Sequence, residues 1–312
     1  MVDVVSLFSG SGGSDAGVIE AGFDVVMAND RLAYARDVYQ ANLPETNYIH
    51  GNIEKIHDFP SASLLIGCYP CQGFSQGGVR DPSRKINRLY LEFARALKKI
   101  QPKAFVVENV SGMMRKNFRH LLKDQVDAFT REGYEVRVGV LNASDFGVAQ
   151  DRKRIFMVGI SQGFGVDFRF PNPSHGDGTG QPKLTIRKAI GHLPEWPEGE
   201  FYDHGFHWYY LSRNRRRNWD EQSKTIVANP RHMPLHPNSP ELVKHADDDW
   251  RFADERRARR FSYREAASLQ GLGNLTFPET SHKSLNRCYE VVGNAVPPQL
   301  FKAIVESIPD IW

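Results

Sequence analysis

Cysteine is scarce in this 312-residue chain, which has only Cys68, Cys71 and Cys288. Three thiols make no disulfide framework of the kind that staples small secreted domains, and they point to a reducing compartment. No run of about 18 apolar residues occurs, so no membrane span is expected. The opening residues Met1-Val2-Asp3-Val4 lack the basic and apolar regions of a secretory signal, and a cytoplasmic location is the expectation. Internal repeats and low-complexity tracts are absent. Charge of one sign is also in short supply, with a formal net charge of +3, a weak global signal for a polyanionic partner. Cys68-Tyr69-Pro70-Cys71 is a C-x-x-C, but no second pair completes a four-ligand zinc set, so no metal is expected.

What remains is an ordinary globular composition, 40% hydrophobic and 25% charged, long enough for one large domain or one large and one small. The first half alternates β-rich runs with helical patterns. Val4–Phe8, Val25–Ala28, Leu64–Ile66, Ala104–Val107, Val136–Leu141 and Ile155–Ile160 read as strands. Leu89, Phe93, Leu97 and Ile100 recur at helical spacing, and Pro102 stops that helix. Strand–helix alternation predicts a parallel, doubly wound α/β sheet. After about Asp167 the chain turns rich in Pro, Gly, Arg, His and Trp with few apolar runs, which predicts a small irregular domain. Near the end, Pro297 and Pro298 precede an apolar helical pattern.

Two segments carry the chemistry of ligands and bonds. Phe8-Ser9-Gly10-Ser11-Gly12-Gly13 follows the first strand and opens a helix, where glycines permit tight turns and close approach to a ligand. Asp30 ends the second strand about 20 residues on, as a carboxylate gripping ribose hydroxyls would. The G-x-G-G spacing lacks the third glycine of the dinucleotide fingerprint. Cys71 follows the strand Leu64–Ile66 within Gly67-Cys68-Tyr69-Pro70-Cys71-Gln72-Gly73-Phe74-Ser75, and reads as a nucleophile at a strand's carboxyl end with its approach preset by Pro70. The glycine-rich, basic stretch from Gly73 to Arg88 reads as a loop that closes over a substrate. Glu108-Asn109-Val110 ends another strand, Gln150-Asp151-Arg152-Lys153-Arg154 precedes the last one, and Gly293–Pro298 lies near the terminus.

In this order, Phe8–Gly13, Pro70-Cys71-Gln72, Glu108-Asn109-Val110, Gln150-x-Arg152-x-Arg154, Arg264–Gly271 and Gly293–Pro298 resemble the DNA (cytosine-5) methyltransferase family over the whole chain. The resemblance implies a Rossmann-like S-adenosylmethionine-dependent sheet over 1–167, completed by 278–312. A smaller irregular target-recognition domain would span 168–277. It implies Cys71 as the nucleophile that adds to C6 of a flipped cytosine, Glu108 at N3 and Arg154 at O2, with Arg152 supporting the site. Covalent addition of this kind splits one hard step into easier ones. For S-adenosyl-L-methionine, and its product S-adenosyl-L-homocysteine, it implies Phe8, Ser9, Gly10, Gly12, Gly13, Asp30, Arg31, Asn52, Ile53, Pro70, Leu89, Asn294 and Ala295. The partner is double-stranded DNA bound by a monomer, with a restriction endonuclease as a companion that makes no direct contact.

The loop residues Gln72, Ser75, Arg80 and Arg84 would touch DNA. The variable segment before Arg264 is similar to that of GGCC-specific bacterial enzymes. There Arg213, Arg215, Arg217 and Arg231 are the expected guanine readers, since arginine forks match guanine O6 and N7. Tyr209 or Tyr210 would wedge into the base stack. Arg256-Arg257-Ala258-Arg259-Arg260 forms a second basic cluster, for which a solvated face is an equal reading. Three other functions are weaker. A tRNA cytosine methyltransferase would carry Cys-Phe-Thr in the variable segment, which is missing. A non-catalytic DNA-binding relative would not need Cys71, Glu108 and Arg154 together. A nicotinamide oxidoreductase explains only the glycine loop and Asp30. One residue departs from the family: Gly51-Asn52-Ile53 stands where Gly-Asp-Ile is usual. Weaker cofactor binding is therefore expected, with a gain from Asn52→Asp.

Overall fold

The computed structural model describes residues 2–70, 88–278 and 284–312. Among them the chain divides into two compact units: 1–142 with 153–172 and 298–312, and 143–152 with 173–297. The second unit therefore takes in residues 143–152 and 278–297, which lie outside the 168–277 span expected for the smaller domain. The chain leaves the first unit between two adjacent strands and again ahead of its last helix.

The first unit is built on a seven-stranded sheet in the order β3-β2-β1-β4-β5-β7-β6. Its strands are β1 (Asp3–Leu7), β2 (Asp24–Asp30), β3 (Asn47–His50), β4 (Leu64–Gly67), β5 (Ala104–Val110), β6 (Tyr134–Asn142) and β7 (Lys153–Ser161). β1 to β5 run parallel. β7 is antiparallel to both β5 and β6, which corrects the expected all-parallel sheet. Between β6 and β7 the chain forms only a short 3-10 turn, Ala143–Phe146, and a parallel return needs a longer crossover. The continuous apolar runs of β4 and β5 are those of strands covered on both faces.

One face is packed by α3 (Leu89–Ile100) and α4 (Arg119–Arg131). Phe93 and Leu97 on α3 are fully buried, and Phe93, Phe105 and Phe129 meet edge to face at centroid distances of 5.1 to 5.8 Å. Gly159 makes room for this cluster, since a Cβ there would lie 2.0 Å from the Phe105 ring. Helices α1 (Gly13–Glu20), α2 (Ala33–Asn42) and α9 (Pro298–Glu306) complete the unit. α9 begins at Pro298, where the missing N–H costs nothing. Phe301 of α9 lies 6.2 Å from Phe156 of β7. Met157, one residue on, belongs to the aromatic cluster with Phe93 and Phe105.

The second unit has little regular structure. It contains α5 (Ile186–Ile190), α6 (Trp208–Leu211), the hairpin β8 (Leu242–Ala246) with β9 (Asp249–Phe252), α7 (Tyr263–Leu269) and α8 (Leu285–Asn294). Polar side chains tie these pieces together. Arg259 makes a bidentate pair with Glu265, both bonds 2.7 Å, and Glu265 also closes the capping box that starts α7 at Ser262. Among the described residues no helix is long and apolar enough to cross a membrane.

Candidate active site

In an open α/β sheet the parallel strands' carboxyl ends form one edge where ligands bind. On this edge β5 places Glu108, and its antiparallel neighbour β7 places Arg154. Arg154 is paired in register with Val110, so Glu108 is its diagonal neighbour on the same face, within reach of two long side chains. Arg154 Nε lies 2.8 Å from Glu108 Oε1, with both side chains close to 10% exposed. Burial pulls the Arg154 guanidinium below its usual pKa, while the charge of Glu108 opposes the shift. The arginine thus neutralises a carboxyl group that would otherwise face the site as a bare charge.

Asn109 turns to the other side of β5. Its Nδ2 donates to the Tyr69 carbonyl at 3.1 Å, and its Oδ1 accepts from Val110 N at 2.8 Å. Tyr69 is fixed again through its hydroxyl, which donates to Gln125 Oε1 at 2.6 Å. The segment that runs up to Pro70 is therefore held from β5 and from α4. Reading by residue type singled out neither Asn109 nor Gln125 as a site residue. Asn109 had a signal, its place inside Glu108-Asn109-Val110, whereas Gln125 had only the helical face it shares with Phe129. Cys71, Gln72, Ser75, Arg80, Arg84 and the Gly73–Arg88 stretch up to Asn87 lie outside the described residues. Cys68 is free, and burial, with the Glu108 charge second, raises its pKa well above the thiol norm. It stays protonated and is a poor nucleophile.

Toward β1 and β2 the edge becomes a cradle. Phe8, Gly10 and Gly12 all have positive φ, and Gly12 precedes α1 in the left-handed conformation. A Cβ on Gly12 would also sit 2.9 Å from Tyr39 and Leu43, so glycine is required there twice over. Asp30 ends β2 and accepts from Gly10 N at 3.0 Å and from Leu32 N at 2.9 Å. Burial raises its pKa, and those N–H donors oppose the rise. Behind the loop, the fully buried Asp15 accepts from Ser6, Ser14 and Tyr39 hydroxyls at 2.7 to 2.9 Å. Ser9 and Ile53 are buried, while Arg31 and Asn52 are exposed. Pro70 and Leu89 are partly exposed and border the undescribed segment. The Asp30 carboxylate and the glycine loop, with open space beside Gly10, fit the adenosyl and methionyl parts of S-adenosylmethionine.

Three of the residues nominated for catalysis or the cofactor belong to the second unit. Asn294 and Ala295 end α8. Arg152 is buried and donates to the carbonyls of Ile226, Gly293 and Ala295 at 2.9 to 3.0 Å. It fastens the Gly-Asn-Ala turn to residue 226, with Gln150 and Gln270 bonded alongside at 2.8 Å, and this is a supporting role.

The nominated DNA readers sort by exposure. Arg213 and Arg231 are exposed. Arg213 lies over the Tyr209 ring at 4.0 Å and donates to its hydroxyl. Arg215 is half-buried and its pKa is lowered by that burial. Arg217 is paired with Glu221 at 3.0 Å. Tyr209 is exposed, whereas Tyr210 is buried with its hydroxyl on the Met233 carbonyl at 2.6 Å, so only Tyr209 is available as a wedge. In the second basic cluster Arg256 and Arg257 are exposed, but Arg259 and Arg260 are 2% exposed.

A Rossmann-like sheet with a glycine cradle, an acidic β2 terminus and, three strands along at β5, a buried acid–arginine pair defines an S-adenosylmethionine-dependent methyltransferase of the mixed α/β type. Comparison with known proteins narrows the class. Residues 2–310 match the model of the C-5 cytosine-specific DNA methylase family, and the chain belongs to that family. It is 35% identical to Type II methyltransferase M.BsuRI of Bacillus subtilis, over 98% of this chain and 79% of that protein. It is 36% identical to Type II methyltransferase M.NgoPII of Neisseria gonorrhoeae, over 98% of this chain and 94% of the other. Among solved structures, a putative DNA modification methyltransferase from an E. coli prophage superposes with a TM-score of 0.74 at 20% identity, covering 99% and 98% of the two chains. The S. pombe Dnmt2 methyltransferase does so with a TM-score of 0.68 at 18% identity, covering 98% and 97%. At these identities the structural likeness speaks for the fold. The chain is a cytosine-C5 DNA methyltransferase of restriction-modification type, an enzyme class that uses S-adenosylmethionine.

Proposed function

We propose that the enzyme methylates C5 of a cytosine flipped out of a short GC-rich duplex site, with GGCC favoured, through a covalent bond between Cys71 and C6. The observation that carries this reading is the buried Glu108–Arg154 pair, on the strand whose Asn109 anchors the backbone two residues before Cys71. Cytosine C5 is too weak a nucleophile unaided. Thiolate addition at C6 makes it an enamine, with charge building on N3 and O2 of the ring. Glu108 as an acid hydrogen-bonds N3, Arg154 donates to O2, and the pair is preorganised to stabilise the adduct. The bound cofactor supplies an electrophilic methyl on a sulfonium, held by Phe8–Gly13, Asp30 and Asn52-Ile53. C5 would take that methyl as S-adenosylhomocysteine leaves, and loss of the C5 proton to water or a side-chain base would then expel Cys71 as thiolate. C5 and C6 are not reachable inside a duplex, so the base leaves the stack at a cost of about a few kcal/mol. Arg213, which lies over the Tyr209 ring, and the exposed Arg231 read guanine edges. The enzyme acts as a cytoplasmic monomer, and its companion endonuclease makes no direct contact.

Incubation with tritiated S-adenosylmethionine and DNA of all short sites, followed by mapping of methylated cytosines, tests this reading. Label in one cytosine of GGCC is expected, with a DNA adduct trapped on Cys71 by 5-fluorocytosine. Label confined to other sites would remove the GGCC assignment. Methylation by a Cys71→Ala variant at the parent rate would remove the covalent one.

A further inference from the structure

We propose that Glu54 is a positioning residue for cofactor recognition, which turns the Asn52 amide so that Oδ1 meets the exocyclic amine of an adenine base. The proposal rests on the reading that the sheet edge holds an S-adenosyl cofactor. Strand order then dictates its direction. The reacting groups lie at β4 and β5, Asp30 ends β2, and β3 is the outermost strand beyond it. A methyl group directed at β4 and β5 puts the ribose at Asp30 and the base one strand further out, at the end of β3.

That end is rigid. Asn29 Nδ2 holds the carbonyls of Ile49 and Gly51 at 2.7 and 3.0 Å. Gly51 N donates to the Asp30 carbonyl at 3.0 Å. Arg95 grips the Ile53 carbonyl at 2.9 Å, and Ile53 is buried. Asn52 itself caps the 3-10 turn Ile53–Lys55 and remains exposed. Its Nδ2 donates to Glu54 Oε2 at 3.1 Å, while its Oδ1 accepts only a long 3.4 Å bond from Glu54 N.

A lone asparagine can present either end of its amide, and the wrong end offers a donor to a donor. The carboxylate of Glu54 removes that choice. It binds Nδ2, leaves an Oδ1 lone pair free, and polarises the amide so that Oδ1 accepts more strongly. Glu54 thereby supplies, at one remove, the negative charge that residue 52 lacks. A carboxylate at residue 52 would instead face Glu54 as a like charge, so Asn52→Asp alone should bring no gain, which reverses the expectation drawn from the family's usual Gly-Asp-Ile.

Isothermal titration with S-adenosylhomocysteine and with its inosine counterpart, whose base carries an oxygen in place of the amine, tests the idea without turnover. Glu54→Ala should cut the adenosyl-over-inosyl preference by roughly three- to tenfold. Asn52→Asp alone should leave adenosyl affinity at or below the parent value, and Asn52→Asp with Glu54→Ala should restore the preference. An unchanged preference in Glu54→Ala overturns the proposal, as does tightening by Asn52→Asp with Glu54 in place. A parent enzyme that binds neither nucleoside would overturn the cofactor reading itself, an outcome separable from the others.

Discussion

Phe105 and Arg260 hold corresponding places in the two compact units. Phe105 lies at the centre of the first, fully buried and ringed by Phe93, Phe129 and Tyr134. Arg260 is 2% exposed in the second. It lies over the Phe206 ring at 4.2 Å and donates to the carbonyls of His204, Tyr202, Gly205 and Arg231 at 2.7 to 3.3 Å. Sheets satisfy their own backbone, so apolar side chains suffice between them and the helices. Irregular loops leave carbonyls to be satisfied, and arginine, with five donors on a planar fork, serves several at once. In the second unit, then, Arg152, Arg259 and Arg260 belong to the interior, whereas Arg213, Arg231 and Arg256 lie on the surface.

The sharpest test of that contrast is Arg259→Met. Removing the guanidinium strands Glu265 as a buried charge, and a loss of about 3–5 kcal/mol is expected by urea unfolding. Arg256→Ala, three residues away on the surface, should change stability by no more than about 0.5 kcal/mol. Equal effects would mean that the second unit is not cemented by buried arginines. Next in size is Glu108→Gln, at the working edge of the first unit. It should lower kcat by about 100- to 1,000-fold while leaving S-adenosylhomocysteine affinity near the parent value. A loss of cofactor affinity with kcat intact would move Glu108 out of the chemistry.

These two sites also differ in how far they could be read from sequence. The sheet edge was legible because each strand there is a short apolar run with a chemical residue at its end. Val4–Phe8 became β1, Ala104–Val107 became β5, and Glu108 follows directly. β3 was harder, because Asn47–His50 is polar and half exposed and carries no apolar run. Ile155–Ile160 is legible as the strand β7, but its antiparallel direction is not, because apolar periodicity records burial and not strand direction. In the second unit, nothing in the sequence shows which arginines of the run 213–217 face outward and which are held by the chain. Arg213 and Arg216 both sit in that run, yet Arg216 donates to the carbonyls of Ser239 and Pro237 at 2.8 and 3.1 Å. Only the path of the chain, which brings residues 237–239 beside 216, decides it.

That separation gives a smaller, more discriminating prediction. Arg213→Ala or Arg231→Ala should relax site discrimination by about 1–3 kcal/mol with little change in stability. Arg216→Ala should do the reverse, lowering the unfolding midpoint while the methylated sequence stays the same. Relaxed specificity in Arg216→Ala would break the division into surface readers and buried supports.

The smallest effect is one of pH and also belongs to the second unit. His236 is buried, and burial, with the charge of Arg259 second, pushes its pKa from 6.5 down to about 3. Its Nδ1 accepts from Asn238 N at 3.2 Å, which leaves the proton on Nε2, 3.6 Å from Glu265. The unfolded chain takes up a proton below pH 6.5 that the folded chain refuses, so the unfolded state binds more protons in this window. Stability from this group is complete above that pH and is lost as pH falls toward about 3, at about 1.4 kcal/mol per pH unit. Urea unfolding at pH 7.5 and 5.5 should therefore show a drop in the parent that is about 1 kcal/mol larger than in His236→Asn, whose amide has no proton to refuse. A drop of the same size in both would place the acid sensitivity elsewhere, and His236 would no longer mark the second unit's interior as one that excludes a further positive charge.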